Sequence, residues 1–486
     1  VISGTSSDPH TIKSDLERTE IAIFNVNTSQ WWNWSEQAFN LLTASYTTTN
    51  LGTPASWAHD WNLPNWDLYD GVTFIVYSRA KDRAQNYQTP VTSFTFAYDI
   101  TKATSVVTLP APEITYYSSL PTISGTAYDG TSGITETRVA IRWVSPDTYW
   151  TGSGWGGIGE IHWRLVSGTT EWVYPAGSDT TPLWSDAQQY EIIPWTKDAA
   201  GNESTGTPKM FIFDISRPTS TITLPVHQRF YRNIPTISGT SFDATSGVNR
   251  VRLTIKDNFT GYYYGWTGSE WNFSTVAVST WLVPSGLTSW SYTGYQDKLQ
   301  DGRSYTIVSK SWDNSTPELE EINYVVGVNT ITFVYDITPP NAVINYPYNE
   351  FVISLSSVAG TAEDAISGIY RVKLAIQDLT YPSTWWSGAE WLTSPTTYWL
   401  TTSSQPTTPV NWWYTSTPQL IHNRQYKLYV QAEDNAWDKD TFSPNLQEPQ
   451  ATFVITCDTV APSAAATYPY NDSVINFIPT ITGTAY

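Results

Sequence analysis

The sequence predicts an all-β chain built as tandem β-sandwiches arranged as a rod. Three observations carry that prediction. A motif returns about every 120 residues, apolar residues alternate with polar ones at period two, and no stretch sustains a helical period. The motif is Pro121-Thr-Ile-Ser-Gly-Thr-Ala-Tyr-Asp129, repeated as Pro235-Thr-Ile-Ser-Gly-Thr-Ser-Phe-Asp243 and more loosely as Ser357-Val-Ala-Gly-Thr-Ala-Glu-Asp364. Partial copies stand at Ile2-Ser-Gly-Thr-Ser-Ser-Asp8 and Pro479-Thr-Ile-Thr-Gly-Thr-Ala-Tyr486. Its glycines, Gly4, Gly125, Gly239, Gly360 and Gly483, are spaced by 121, 114, 121 and 123 residues. A period of that length is one small domain, large enough for its own core. The expected domains are 1–99, which lacks a first strand, then 100–214, 215–336 and 337–458, with 459–486 opening a fifth. Residues 2–8 and 480–486 are the same piece of the repeat. The chain therefore reads as a segment of a longer array. A second reading has 459–486 supply the strand that domain 1 of a neighbouring copy lacks.

The elements follow in order. After the motif comes a half-buried strand: Ile21-Ala-Ile23, Val139-Ala-Ile-Arg-Trp143, Val251-Arg-Leu-Thr-Ile255 and Val372-Lys-Leu-Ala-Ile376. Next is a turn between tryptophans, Trp150 to Trp155, Trp266 to Trp271 and Trp386 to Trp391, which reads as a hairpin closed by a cross-strand pair. Domain 1 has Trp31-Trp-Asn-Trp34 there and no glycine. A turn then leads into a strand that opens on an aromatic: Phe74, Tyr190, Tyr305 and Tyr426. That is the place of a tyrosine corner, whose phenol bonds the turn before it. The strand ends in acidic loops, Lys81–Asn86, Lys197–Asn202, Trp312–Asn314 and Glu433–Asn435. Each period closes on Asp99, Asp214, Asp336 or Asp458, and in three cases Pro follows within four residues and stiffens the joint.

With 25 basic and 44 acidic residues the net charge is −19, against nucleic acid as a partner. Only 14% of residues are charged, so this is not an acidic disordered tail; the 15% aromatic content fits packed β-structure. Cys457 stands alone, which excludes an internal disulfide; it reads as a small buried hydrophobe or as one half of a bridge between chains. No apolar run reaches 18 residues, so no membrane span is expected in this segment.

The closing Phe-x-Tyr-Asp-x-Thr-x-Pro, the Ile-Ser-Gly-Thr-Ala-x-Asp…Ser-Gly stretch, the Trp-x-Gly-x-x-Trp hairpin and the Asp198-Ala-Ala-Gly-Asn202 loop resemble the bacterial immunoglobulin-like domains strung together in very large surface proteins and adhesins. The resemblance covers essentially the whole chain. It implies tandem Ig-like sandwiches in an extracellular stalk or fibre, in some members rigidified by calcium between domains.

Catalytic constellations are not evident. His10, His59, His162, His227 and His422 fall at unrelated positions of the repeat, and a nucleophilic serine would need a histidine that recurs with it. One constellation does recur. In such a sandwich each closing aspartate lies near two loops of the following domain, which would gather Asp99 with Asp129 and Asp198, Asp214 with Asp243 and Asp313, and Asp336 with Asp364 and Asp434; Asp458 would begin a fourth set. Carboxylate oxygens from three segments suit Ca²⁺. The competing reading is that these aspartates cap turns through their own side chains. Asn86, Asn202 and Asn435 would add an oxygen or make turns.

The tryptophans have two readings as well: core and clasp residues, or exposed platforms that stack sugar rings, with Trp31, Trp32, Trp34, Trp385, Trp386, Trp412 and Trp413 as candidates. Alternation along a strand puts one member of each doublet outward. Asn-x-Ser/Thr sequons at Asn27, Asn33, Asn202, Asn258, Asn272, Asn314 and Asn471 are of a number that chance supplies. The leading functional expectation is a non-enzymatic structural segment of an extracellular or cell-surface fibre. Its partners would be neighbouring repeats and other copies of itself, in filaments. The alternatives are an adhesin that binds glycans through aromatics, and a spacer of a large secreted enzyme.

Overall fold

The computed structural model describes residues 1–486 except 10–13, 268, 275–280, 439–440 and 442, so His10 lies outside the described residues. Two compact units are present: Val1–Ser216 with Asn314–Leu319, and Arg217–Asp313 with Glu320–Tyr486. Among the described residues the regular structure is strand, apart from single 3₁₀ turns at Trp66–Leu68 and Gln296–Lys298.

The second period, in the first unit, shows the plan. One sheet runs Thr104–Leu109, Ile123–Tyr128, Glu171–Tyr174. The facing sheet runs Tyr116–Tyr117, Lys209–Phe213, Gln188–Asp198, Ile134–Trp143, Thr148–Trp150, Trp155–Ile158. First strand beside second beside fifth, facing closing beside sixth beside third, is the strand order of an immunoglobulin-like sandwich. The inward residues Ile123, Val139, Ile141, Trp172, Tyr190, Ile192 and Phe211 form its core. Three comparable cores gather within residues 2–98, 222–335 and 342–457.

The recurring glycine has a packing cause. A Cβ on Gly125 would sit 2.1 Å from the Trp172 ring, and Gly4, Gly239 and Gly360 meet Trp57, Trp290 and Trp412 at 2.6, 2.2 and 2.7 Å. Each period thus lays one indole flat on the backbone of its second strand, and no side chain fits beneath it. The tyrosine corner is present as expected. The hydroxyls of Tyr190, Tyr305 and Tyr426 accept the backbone N–H of Ser185, Gln300 and Ile421 at 2.9, 2.8 and 3.0 Å. The hairpin tryptophans pair edge to face, with centroids 5.5, 6.0 and 5.6 Å apart.

Two features depart from the sequence reading. A short edge strand runs parallel to the closing strand in three periods: Tyr116–Tyr117, Arg229–Asn233 and Phe351–Val352. In addition, the expected acidic loop at Glu433–Asn435 is strand. Gln425–Asp438 continues for 14 residues, because Ala436–Asp438 pairs in parallel with Phe230–Asn233. Arg232 and Asn233 hold the Asp438 carboxylate at 3.7 and 3.1 Å. In the first unit the edge Tyr116–Tyr117 is likewise extended by Thr316, whose N–H donates to Tyr116 O at 3.1 Å.

Candidate metal centre

In the first unit, Asp99 follows the closing strand Thr92–Ala97, Asp129 follows Ile123–Tyr128, and Asp198 ends Gln188–Asp198. Three separate segments therefore deliver one carboxylate each, and one oxygen from each lies within 4.8 Å of the others. Asp129 Oδ1 accepts three backbone N–H groups, from Thr131, Ser132 and Gly133, at 3.0, 2.8 and 2.8 Å. Asp99 Oδ1 accepts Thr101 N–H at 3.0 Å. Asp198 is gripped by Asn202, whose backbone N–H and side-chain amide donate to its two oxygens at 2.8 and 2.9 Å. The same amide donates to Asp99 O at 3.1 Å and ties the closing aspartate to the loop. Oδ2 of Asp99 and Oδ2 of Asp129 are buried and make no hydrogen bond.

The second unit repeats the arrangement with Asp336, Asp364 and Asp434, again within 4.8 Å. Asp364 Oδ1 accepts N–H groups of Ile366, Ser367 and Gly368 at 3.1, 2.7 and 2.8 Å, and Asp336 Oδ1 accepts Thr338 N–H at 3.0 Å. Oδ2 of Asp336 and of Asp364 are buried without a hydrogen bond. The grip on Asp434 comes from Asn445, which donates through its backbone to Oδ1 at 3.1 Å and through its amide to Oδ2 at 2.8 Å. Asn445 also donates to Asp336 O at 3.0 Å. Asn435, the residue the sequence spacing favours, turns its amide to the carbonyls of Ser367 and Gly368 instead. The strand continuation through Asp438 moves the role of Asn202 to Asn445, eleven residues beyond Asp434, where spacing alone does not find it.

The remaining expected set is divided between the units. Asp214 lies in the first, while Asp243 and Asp313 lie in the second. There Asp243 Oδ1 accepts Thr245, Ser246 and Gly247 N–H at 3.1, 3.0 and 2.9 Å.

In Asp99, Asp129, Asp336 and Asp364 the turn takes Oδ1 and leaves Oδ2 buried and without a hydrogen bond. Among the described residues no lysine or arginine forms an ion pair with the six carboxylates of the two complete sets. Burial pushes the Asp434 carboxyl up to about 6, and the Asp336 charge adds to the shift against the Asn445 and Ala436 bonds. Burial likewise raises Asp336, with Asp364 adding to it. At Asp129 burial is outweighed by its three backbone donors, and the carboxyl stays below its ordinary range. Carboxylates crowded this closely repel unless a proton or a cation stands between them.

A second layer of aspartates escaped the sequence reading. Asp70, Asp186 and Asp301, at the turn before the sixth strand, accept the N–H of Ile100, Ile215 and Ile337, each at 2.8 Å, and the hydroxyl of Thr101, Ser216 or Thr338. They clasp the first residues after the closing aspartate. An acid before the sixth strand matched with Asp-x-Thr/Ser at the period's end is the signal that finds them. In the fourth period His422 takes this place, its Nδ1 accepting Thr459 N–H at 3.1 Å.

The aromatic candidates behave as core. Trp32, Trp385, Trp386 and Trp412 are buried, and Trp31, Trp34 and Trp413 are half-buried. The outward member expected of the Trp385-Trp386 doublet is absent, because Trp385 packs on Tyr429 at 5.5 Å. Cys457 is fully buried, which leaves no exposed thiol for a bridge between chains.

No family model matches the chain, and no curated protein matches it. Among solved structures it is similar to a tetra-tandem repeat in the extending region of a large adhesion protein, at 15% identity and TM-score 0.33, over 94% of this chain and 95% of that one. It is also similar to a 1.5-MDa bacterial ice-binding adhesin, at 11% identity and TM-score 0.27, over 74% and 99%. A third likeness is to fibronectin(III)-like modules of Clostridium thermocellum CbhA, at 12% identity and TM-score 0.23, over 48% and 94%. The sandwich architecture rests on the chain's own strand order. Likenesses this distant bear on neither the site nor its ligand.

Proposed function

We propose that the chain is a structural segment of an extracellular or cell-surface fibre or stalk, and that Ca²⁺ bound by the aspartate sets stiffens its joints. The observation that carries the reading is the recurrence of the same three acids, Asp99/Asp129/Asp198 and Asp336/Asp364/Asp434, each set with buried, unbonded Oδ2 atoms. Repetition in successive periods is what a joint needs and what a catalytic centre does not. All the side-chain donors are hard oxygens, and aspartates on loops adapt to the six to eight oxygens at 2.3–2.6 Å that calcium takes. The closing aspartate belongs to one sandwich and the other two to the next, so an ion held by all three resists bending between them.

The test is thermal melting and small-angle scattering in 2 mM Ca²⁺, 2 mM Mg²⁺ and EDTA. Calcium is expected to raise the melting temperature and narrow the distribution of maximum dimensions, with magnesium doing less. An identical melt and an identical scattering profile in calcium and EDTA would remove the cation from the reading.

A further inference from the structure

The third and fourth periods, both in the second unit, share one sheet. The strand that joins them is Arg229–Asn233, the short edge strand of the third period. On one side it pairs with the closing strand Thr330–Tyr335 of its own sandwich. On the other it pairs with the end of Gln425–Asp438, with Phe230 opposite Ala436 and Tyr231 opposite Trp437. What arrives there is the hairpin that leaves the fourth sandwich between its sixth and closing strands. Its outgoing arm runs past Asp434 to Asp438, and its return arm is Pro444–Leu446, with Glu433 opposite Leu446 and Trp437 opposite Pro444. The base of the hairpin belongs to the acidic cluster, where Asn445 grips Asp434 and reaches Asp336 O. The tip sits on the third sandwich. Asn233 donates to Asp438 Oδ2 at 3.1 Å, and Arg232 donates to Ser443 Oγ at 3.2 Å while lying 3.7 Å from the same carboxylate. Both sides of this contact are braced. The Gln296 amide donates to Asn233 Oδ1 at 2.7 Å and accepts Ile234 N–H at 2.8 Å. Asp438 Oδ1 accepts Thr441 N–H at 2.9 Å, and Trp437 packs on Tyr370 of its own sandwich at 5.3 Å.

We propose that this hairpin is a latch that fixes the rotation of the fourth sandwich on the third, with or without a cation among Asp336, Asp364 and Asp434. Domains of one chain move relative to each other unless an interface prevents it. The covalent joint here is Ile337-Thr-Pro-Pro340. Its prolines fix φ and leave ψ free, and an ion at the base of the joint holds the two sandwiches close to that same line. The hairpin tip is a second attachment, away from the linker. Rotation about the linker would strip the parallel pairing of Phe230–Asn233, part Arg232 from Asp438, and bring the buried Asp438 carboxylate into water. A bond to a carboxylate is stronger than one between neutral groups, so the tip resists that motion more than the pairing alone does. The second period has a different device in this place. There the same connection is the turn Asp198-Ala-Ala-Gly-Asn202, which closes on itself through Asn202 N–H to Asp198 Oδ1 at 2.8 Å and has no tip to extend. The latch goes beyond the cation reading and does not rest on it, because the tip uses none of the three clustered carboxylates.

The experiment places spin labels on the full chain at Thr288→Cys and Thr397→Cys, exposed positions of the third and fourth sandwiches; Cys457 is fully buried and stays unlabelled. The width of the label-to-label distance distribution reads the joint. With the latch intact, one narrow distance is expected in EDTA. Exchanging residues 435–444 for Ala-Ala-Gly copies the turn of the second period, keeps Asp434 and Asn445 in the roles of Asp198 and Asn202, and is expected to broaden the distribution several-fold in EDTA. Asp438→Arg, which sets like charges against each other at the tip, is expected to broaden it too, and Arg232→Glu combined with Asp438→Arg to narrow it again. A distribution already as broad without the exchange, or one that stays narrow in both the exchanged chain and Asp438→Arg, would overturn the latch. Adding calcium to the exchanged chain tests the cation reading by itself: narrowing supports a bound ion at this joint, and no narrowing counts against the ion while the latch stands.

Discussion

An aspartate that gives one oxygen to a turn and buries the other among like charges carries a cost that the isosteric asparagine avoids. Asp336 is the sharpest case: its Oδ1 is bonded to Thr338, its Oδ2 is buried without a hydrogen bond, and its carboxylate lies in one cluster with those of Asp364 and Asp434. Asp336→Asn keeps the turn and halves the crowding. In EDTA it is expected to raise the melting temperature, and in calcium to lower it relative to the parent, a reversal that thermal melts in the two buffers will read directly. The pH dependence has a definite sign. Asp434, pushed up to about 6 from 3.8, binds its proton more tightly folded than unfolded. In EDTA its contribution to stability is therefore lost as pH rises from 3.8 through 6, by roughly 3 kcal/mol in full. The loss between pH 5 and pH 7.5 should be smaller in Asp336→Asn, which relieves its charged neighbour; denaturant melts at the two pH values check this.

At the scale of the element, the second strand owes its glycine to the tryptophan laid across it. Gly239→Ala would place a methyl about 2.2 Å from both Thr221 O and the Trp290 ring, closer than any contact that relaxes cheaply. Overpacking of this kind costs ~1–3 kcal/mol, more where backbone is one of the neighbours; a denaturant melt should show a loss at or above that range. The tyrosine corner offers a milder test. Tyr305→Phe removes the 2.8 Å acceptor of the Gln300 N–H, a part-buried bond, at a cost of ~0.5–1.5 kcal/mol. These elements were legible in the sequence because each rests on local pattern: alternation, a turn between two tryptophans, an aromatic after a turn. The parallel edge strands were not legible. Phe351–Val352 and Tyr116–Tyr117 are two residues long, and what makes them strands is a partner about a hundred residues away.

For the whole molecule, the period carried more information than any single residue. It placed Asp99, Asp129 and Asp198 together, and Asp336, Asp364 and Asp434 together, before any distance was known, because a repeated fold returns the same loop ends to the same joint. It failed at Asn445 for the corresponding reason: Gln425–Asp438 runs on to pair with Phe230–Asn233, so the amide that grips Asp434 arrives from further along the chain. It also misjudged Trp385, whose neighbour Tyr429 closes the face that alternation leaves open. The most direct measurement of the central claim is the calcium content of the chain after equilibrium dialysis against micromolar to millimolar Ca²⁺, read by mass spectrometry of the metal. The account predicts at least two bound ions per chain and one fewer in Asp336→Asn; a chain that retains no calcium at millimolar free ion, or an unchanged count in the variant, would contradict it.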